Sequence, residues 1–247
     1  MNQRANDCRF TNLRWMAGLA VLVCLLTPVL AKAATGDTEK ERLKTSGEVI
    51  KDLLSSEHGI PLDVLNKAEC VIILPSVKKG GFIIAAQYGR GAMTCRKGDH
   101  FDGPWSNPIM MSSSGGSVGF QAGGQATDFV VLVMNDKGAR KMLNGKLKLG
   151  GDASVAAGPV GRTAEAATNA TMSAEMLSYS RSQGVFAGVS LSGTTMGPDE
   201  GANENLYGKK VKGDEIFASQ DPPPPSGEVM LTTLTAKSPK PTSGGKS

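Results

Sequence analysis

The chain has 247 residues, 40% hydrophobic, 5% aromatic and 20% charged, with 27 Lys+Arg against 23 Asp+Glu for a formal net charge of +4. That length suits one domain, at most with a tail, and its core must be aliphatic. Most of the positive excess lies in the first 33 residues, so the rest of the chain lacks the basic surplus of a nucleic-acid-binding domain, and no nucleic-acid partner is expected.

Arg4, Arg9 and Arg14 precede an apolar run from Met16 to Leu30, broken late by Pro28 and followed by Ala31-Lys32-Ala33. This is the layout of a cleavable secretory signal over 1–33. A membrane anchor needs ~20 apolar residues; this run is shorter and ends in a cleavage motif. A lipoprotein reading of Val21 to Cys24 fits less well, because Cys24 is inside the apolar run and bulky Val23 stands where a small residue is expected. Removing 33 residues leaves 214, takes Lys+Arg from 27 to 23 and Asp+Glu from 23 to 22, and lowers the net charge to about +1. The mature protein is expected to be periplasmic or secreted, peripherally associated with a membrane.

The next element is a helix from Thr38 to Ser55, with Leu43, Ile50 and Leu54 on one face at helical spacing. Its polar face mixes Lys40, Lys44 and Lys51 with Glu41 and Glu48, so packing on the sheet is favoured over lying in a bilayer interface. Pro61 opens a second short helix. Short apolar runs follow: Cys70 to Leu74, then Phe82 to Tyr88 and Ala92 to Arg96 flanking a hairpin turn at Gly89-Arg90-Gly91, then Pro108 to Ser112. Gly115 to Gly124 alternates like a strand, with glycines suggesting close backbone approach. Asp128 to Met134 is an apolar strand. Asn135 caps a helix over Lys137 to Leu143 that stops at Gly145. Lys146 to Leu149 is a short strand before a Gly150-Gly151-Asp152 turn. Ala153 to Ser180 is alanine-rich but interrupted by Gly158, Pro159 and Gly161, and is read as extended. Ser178 to Leu191 forms strand, turn at Gln183-Gly184, strand; Pro198 to Tyr207 is a helix closed by Gly208. From 221 onward, four prolines and a Lys/Ser/Pro/Gly stretch predict a disordered tail. The fold class is α+β: N-terminal helices, then a mostly antiparallel, glycine-rich sheet or partly closed barrel with short inserted helices. The domains are 1–33 signal, 34–220 folded domain and 221–247 tail.

Little of this pattern carries catalysis. Gly115-Gly116-Ser117-Val118-Gly119 matches G-x-S-x-G, but the elbow requires a helix after the serine and a histidine later in the chain. His58 and His100 both precede Ser117, and the following residues alternate like a strand. No metal-ligand spacing, Walker motif or dinucleotide fingerprint is present, and no cofactor is expected. Cys70 and Cys95 remain after the signal is removed. Export permits a disulfide between them; two buried thiols are the alternative.

Interaction chemistry remains. Lys78-Lys79 and Arg96-Lys97 fall at one end of the sheet if the strands form a meander with Arg90 in its turn. Lys and Arg near a membrane surface are worth ~1 kcal/mol each toward anionic lipid, although turn residues are often charged for solubility alone. Lys78, Lys79, Arg96 and Lys97 are the candidate lipid-binding residues; none is catalytic or metal-binding.

Several segments, taken in order, resemble the SYLF family of lipid-binding domains, also described as a yeast actin-binding domain. They are Val71 to Phe82, Gln87 to Gly91, Gly115 to Gln121, Thr127-Asp128, Leu132 to Asn135, Leu149 to Arg162, Ser178 to Arg181, Gly184 to Gly188 and Asn203 to Tyr207. The resemblance spans about 170 residues, Thr38 to Gly208. It implies a non-enzymatic phospholipid-binding domain. Intracellular members are tied to phosphoinositides, membrane remodelling and actin; an exported member implies generic anionic phospholipid instead, with actin not expected as a partner and an envelope protein a possible one. A structural or protein-interaction component of the envelope without a lipid ligand is the alternative. Lys79 matches the family's lysine before its glycine-phenylalanine turn. Asp152 and Arg162 match its hallmark, with an internal ion pair the favoured role. Tyr88 and Tyr207 are expected to pack.

Overall fold

The computed structural model describes residues 27–81, 84–118, 125–161, 173–182 and 184–239. Helix α1 (Thr27–Ser55) lies across the sheet and buries Leu43, Ile50, Leu53 and Leu54, the stripe its periodicity predicts. It starts well before Thr38, and the signal segment up to residue 26 lies outside the described residues. After α2 (Leu62–Leu65) come β1 (Cys70–Gly81), β2 (Ile84–Cys95), β3 (Ile109–Val118) and β4 (Gln125–Val133). Helix α3 (Asp136–Asn144) starts at Asn135, whose side chain accepts the Gly138 amide at 2.9 Å. Short strands β5 (Leu147–Lys148) and β6 (Val155–Ala157) precede the hairpin of β7 (Met176–Ser182) and β8 (Val185–Gly188), then β9 (Thr195–Pro198). Helices α4 (Glu200–Tyr207), α5 (Gly213–Ala218) and α6 (Glu228–Lys237) finish the described chain. Gly208, at φ 70°, closes α4 in the left-handed conformation that favours glycine.

The strands form one curled sheet in the order β5-β9-β3-β2-β1-β4-β7-β6, with β8 also on β7. All named pairings are antiparallel except β6 with β7. The α+β expectation therefore holds. Central β1 is buried on both faces: Val71 and Ile73 join the core under α1, α4 and α6, while Cys70, Ile72 and Leu74 join the core beneath α3 and α5. A strand covered on both sides reads as a continuous apolar run, which is why Cys70 to Leu74 does not alternate.

Three expectations are corrected. Gly89-Arg90-Gly91 is not a turn; β2 runs straight through it, and the β1–β2 connection lies at residues 82–83, outside the described residues. The glycines serve close approach instead. A Cβ on Gly91 would stand 1.9 Å from the Ile73 carbonyl oxygen, and one on Gly89 2.5 Å from Val77 Cγ2. Second, Cys70 pairs with Cys95 and Lys78 with Tyr88, so Lys78-Lys79 and Arg96-Lys97 stand at opposite ends of the hairpin, about 26 Å apart along β2. Third, the segment from 221 is not a disordered tail as far as Lys237. After a 3-10 turn at Pro225–Gly227, α6 buries Met230 and Leu234, an i, i+4 pair, against α1. Gly47 of α1 allows the contact, since a Cβ there would lie 2.8 Å from the Met230 amide nitrogen.

A surface built by a bulge and a neighbouring polar cleft

Between Ile73 and Lys78 the register of β1 against β2 shifts by one residue, from Ile73↔Ala92 to Lys78↔Tyr88. Proline cannot donate to a ladder and is confined within sheets to edges and bulges; Pro75 sits in this bulge. Ser76 there has φ 50°, rare for a non-glycine residue. Its amide donates to Asp128 Oδ1 at 2.8 Å, and Asp128 Oδ2 lies 3.0 Å from Arg181 Nε. Arg181 reaches on to Asp52 of α1 at 2.8 Å. The extra residue inverts strand parity. Val77 goes into the core under α3 and α5, while Lys78 emerges, exposed, on the face that carries Ile73.

On that face Lys78 adjoins Tyr88, which is 51% exposed, and Tyr88 adjoins Ser114 on β3; Arg90 and Ser112 form the next cross-strand row. Arg90 Nε donates to Tyr88 Oη at 2.6 Å and lies 3.1 Å from Asp199 Oδ2, and its Nη1 is 3.8 Å from Glu39 Oε1. Glu39 itself is buried and also pairs with Arg42. Burial disfavours the Arg90 charge, but Asp199, the Tyr88 hydroxyl and Glu39 outweigh it and raise its pKa. Tyr88 and Arg90 edge a polar cleft of about 570 Å³ between β3, β9, the end of α3 and the starts of α4 and α5.

The sequence-based candidates do not converge here: Lys78 stands on this face, and Arg96 and Lys97 do not. The Lys79 backbone pairs with Gln87 and Gln125, and its side chain lies outside the described residues. Arg96 is not a surface cation: it is 1% exposed and stacks 4.3 Å from the Trp105 ring. Its Nη2 donates to Ser238 Oγ at 2.6 Å and to the Ser238 carbonyl at 3.2 Å, at the end of α6. Burial lowers its pKa. Lys97 donates to the Ser219 carbonyl at 2.7 Å. The basic cluster expected from spacing is thus dissolved, because half of it fastens the C-terminal helices. Cys70 and Cys95 face each other across β1 and β2 and are joined by a disulfide. Asp152 accepts the Lys148 amide at 2.7 Å, and Arg162 lies outside the described residues. Ser117 pairs with Ala85 inside β3, so it does not sit on the strand-to-helix turn an elbow needs. Among the described residues, no cluster of three His, Cys, Asp or Glu side chains is placed to hold a metal, and no helix is long and apolar enough to cross a membrane.

Tyr88 and Arg90 were legible only as a packing residue and a turn residue. Their signal was the i, i+2 spacing in β2 beside serines at i, i+2 in β3, visible once Gly89 and Gly91 are read as strand. Tyr207 does pack, donating to the Pro108 carbonyl at 2.7 Å.

A family model described as Ysc84, Las17-binding protein actin regulator, matches residues 114–237, half of the chain. The chain belongs to the Ysc84 (SYLF) family. It is 34% identical over 208 residues to an SH3 domain-containing protein of Schizosaccharomyces pombe, covering 80% of this chain and 47% of that one. LAS seventeen-binding protein 3 of Saccharomyces cerevisiae is 34% identical over 200 residues, covering 78% and 42%. The human SH3 domain-containing YSC84-like protein 1 is 31% identical over 202 residues, covering 79% and 58%. The chain thus spans about half the length of the curated relatives it matches. One of these relatives is named for binding and the other two for an SH3 domain; none of the three names states a catalytic activity. The expectation that actin is not a partner is overturned by the family description, which is that of an actin regulator, and by the match to LAS seventeen-binding and YSC84 proteins of yeast.

Proposed function

We propose that this Ysc84-family domain is a non-catalytic, exported module that engages anionic phospholipid peripherally through the Lys78–Tyr88 face. The observation that carries the reading is the β1 bulge, which brings an exposed lysine beside a half-exposed tyrosine on one sheet face. A ring with an apolar body and a polar tip suits a membrane interface, and each lysine adds ~1 kcal/mol toward anionic lipid. With Arg90 neutralised by Asp199 and Glu39, the attraction is weak and salt-sensitive.

Liposome flotation tests this, comparing phosphatidylglycerol with phosphatidylcholine vesicles for the wild type, Lys78→Ala and Tyr88→Ala. Preference for the anionic vesicles, reduced by either substitution and by salt, supports the reading. Binding indifferent to lipid charge and salt overturns it. Amino-terminal sequencing tests export, with a start at Ala34 expected.

A second reading, supported by the family description, is that the same face docks a protein of the actin machinery. F-actin co-sedimentation that Lys78→Ala abolishes, with no vesicle binding, favours it.

A further inference from the structure

The cleft beside that face has a chemistry of its own. Its three cations, Arg90, Lys146 and Lys212, are matched by Asp199, Glu200 and Asp214. A lining with equal numbers of each sign has no net charge to favour an anion over a cation. Arg90 and Asp199 are already paired to each other, and Asp199 Oδ1 also accepts the Ala202 amide at 3.1 Å. What the cleft offers is hydroxyls. Ser112, Ser114 and Thr195 line it, and among the described residues no hydrogen bond of their side chains is found; Ser113 behind them is turned away toward the Gly89 carbonyl at 3.5 Å. A hydroxyl both donates and accepts. The Tyr88 ring stands at the edge, held by Arg90 through its hydroxyl and by the guanidinium 5.9 Å from its centroid. A ring fixed before binding loses little freedom on contact. The volume, about 570 Å³, falls in the range of small-molecule sites.

We propose that this cleft binds a neutral, polyhydroxylated ligand of one or two sugar rings. The serine and threonine hydroxyls exchange hydrogen bonds with the ligand's own, and the Tyr88 ring covers the apolar face of a sugar. This goes beyond lipid or actin engagement and needs neither.

The test is amide chemical-shift titration of the full chain with maltose, cellobiose and di-N-acetylchitobiose, each against inorganic phosphate and glucose 6-phosphate. A saturable response to at least one neutral disaccharide, centred on Ser112 to Ser114, Gly145 and Thr195, is expected in the millimolar range. Ser114→Val, at an exposed position, should weaken it about fivefold while the spectrum stays folded, and Lys78→Ala should leave it unchanged. Failure of all three sugars to shift these amides overturns the proposal, as does a stronger response to the phosphate probes. Lys78→Ala separates the readings, since it affects vesicle binding and not sugar binding.

Discussion

Asp128→Ala removes the clamp on the β1 bulge and tests whether that clamp sets the surface. The carboxylate accepts the Ser76 amide at 2.8 Å and pairs with Arg181 at 3.0 Å, at 15% side-chain exposure. A hydrogen bond to a charged acceptor is worth about 1.5–3 kcal/mol. The Arg181 pair, partly open to solvent, adds about 1 kcal/mol or less, and the Asp52 arm, 60% exposed, adds little. The substitution should therefore cost about 3 kcal/mol, a fall in Tm of roughly 6–12 °C for a domain of this size. Asp128→Asn keeps an oxygen for the Ser76 amide and gives up the ion pair, so it should cost about 1 kcal/mol. Circular dichroism melts measure both, and hydrogen exchange at the Ser76 amide reports the clamp directly, with faster exchange in the alanine variant alone. If the two variants lose equal stability, or Asp128→Ala stays within about 0.5 kcal/mol of the wild type, the bulge is held by strand pairing and not by this carboxylate.

Arg96→Ala should cost about 3 kcal/mol in urea unfolding, through the lost Trp105 stack and Ser238 bonds. Arg96→Met, which fills the site without a buried charge, should cost less than half as much; equal losses would contradict the structural role. Leu234→Ala should cost about 3 kcal/mol by the same method, whereas a disordered tail would give no change. Replacing Cys70 and Cys95 together by serine opens a loop of sequence separation 25 and should cost about 3.5 kcal/mol by chain entropy, read as a lower urea midpoint matched by reduced wild type. Burial raises the pKa of Tyr207, and burial with the Asp63 charge that of Tyr179. The folded state thus favours neutral phenols. Their contribution is complete below the unfolded value near 10 and is lost as pH rises through the folded values. Phenolate absorbance from these two should appear together with unfolding; ionisation while the fold is intact would refute the assignment.

Local chemistry was readable wherever one residue type serves one purpose. Asn135 could be read as a cap and Gly208 as a helix stop, because each acts within a few residues of itself. What sequence concealed depends on contact at a distance. Gly89 and Gly91 look like a turn until β1 is known to press on them. Arg96 looks like a surface cation until Trp105 and Ser238 enclose it. Helix α6 follows four prolines and carries threonines and lysines that read as tail; only the spacing of Met230 and Leu234 announced a buried face. The site followed the same division. Lys78 is exposed, but the sequence does not show that Tyr88 stands beside it, since a one-residue bulge decides which strand positions share a face.

The contact between α1 and α6 joins the first described helix to the last. Helix α1 packs on the sheet as well, but Met230 and Leu234 of α6 complete the core around it. Pairing of segments so distant in the chain is slow to form. The core under α1 therefore rests on a contact that spans most of the described chain, and loosening α6 should weaken the packing of a helix about 180 residues before it.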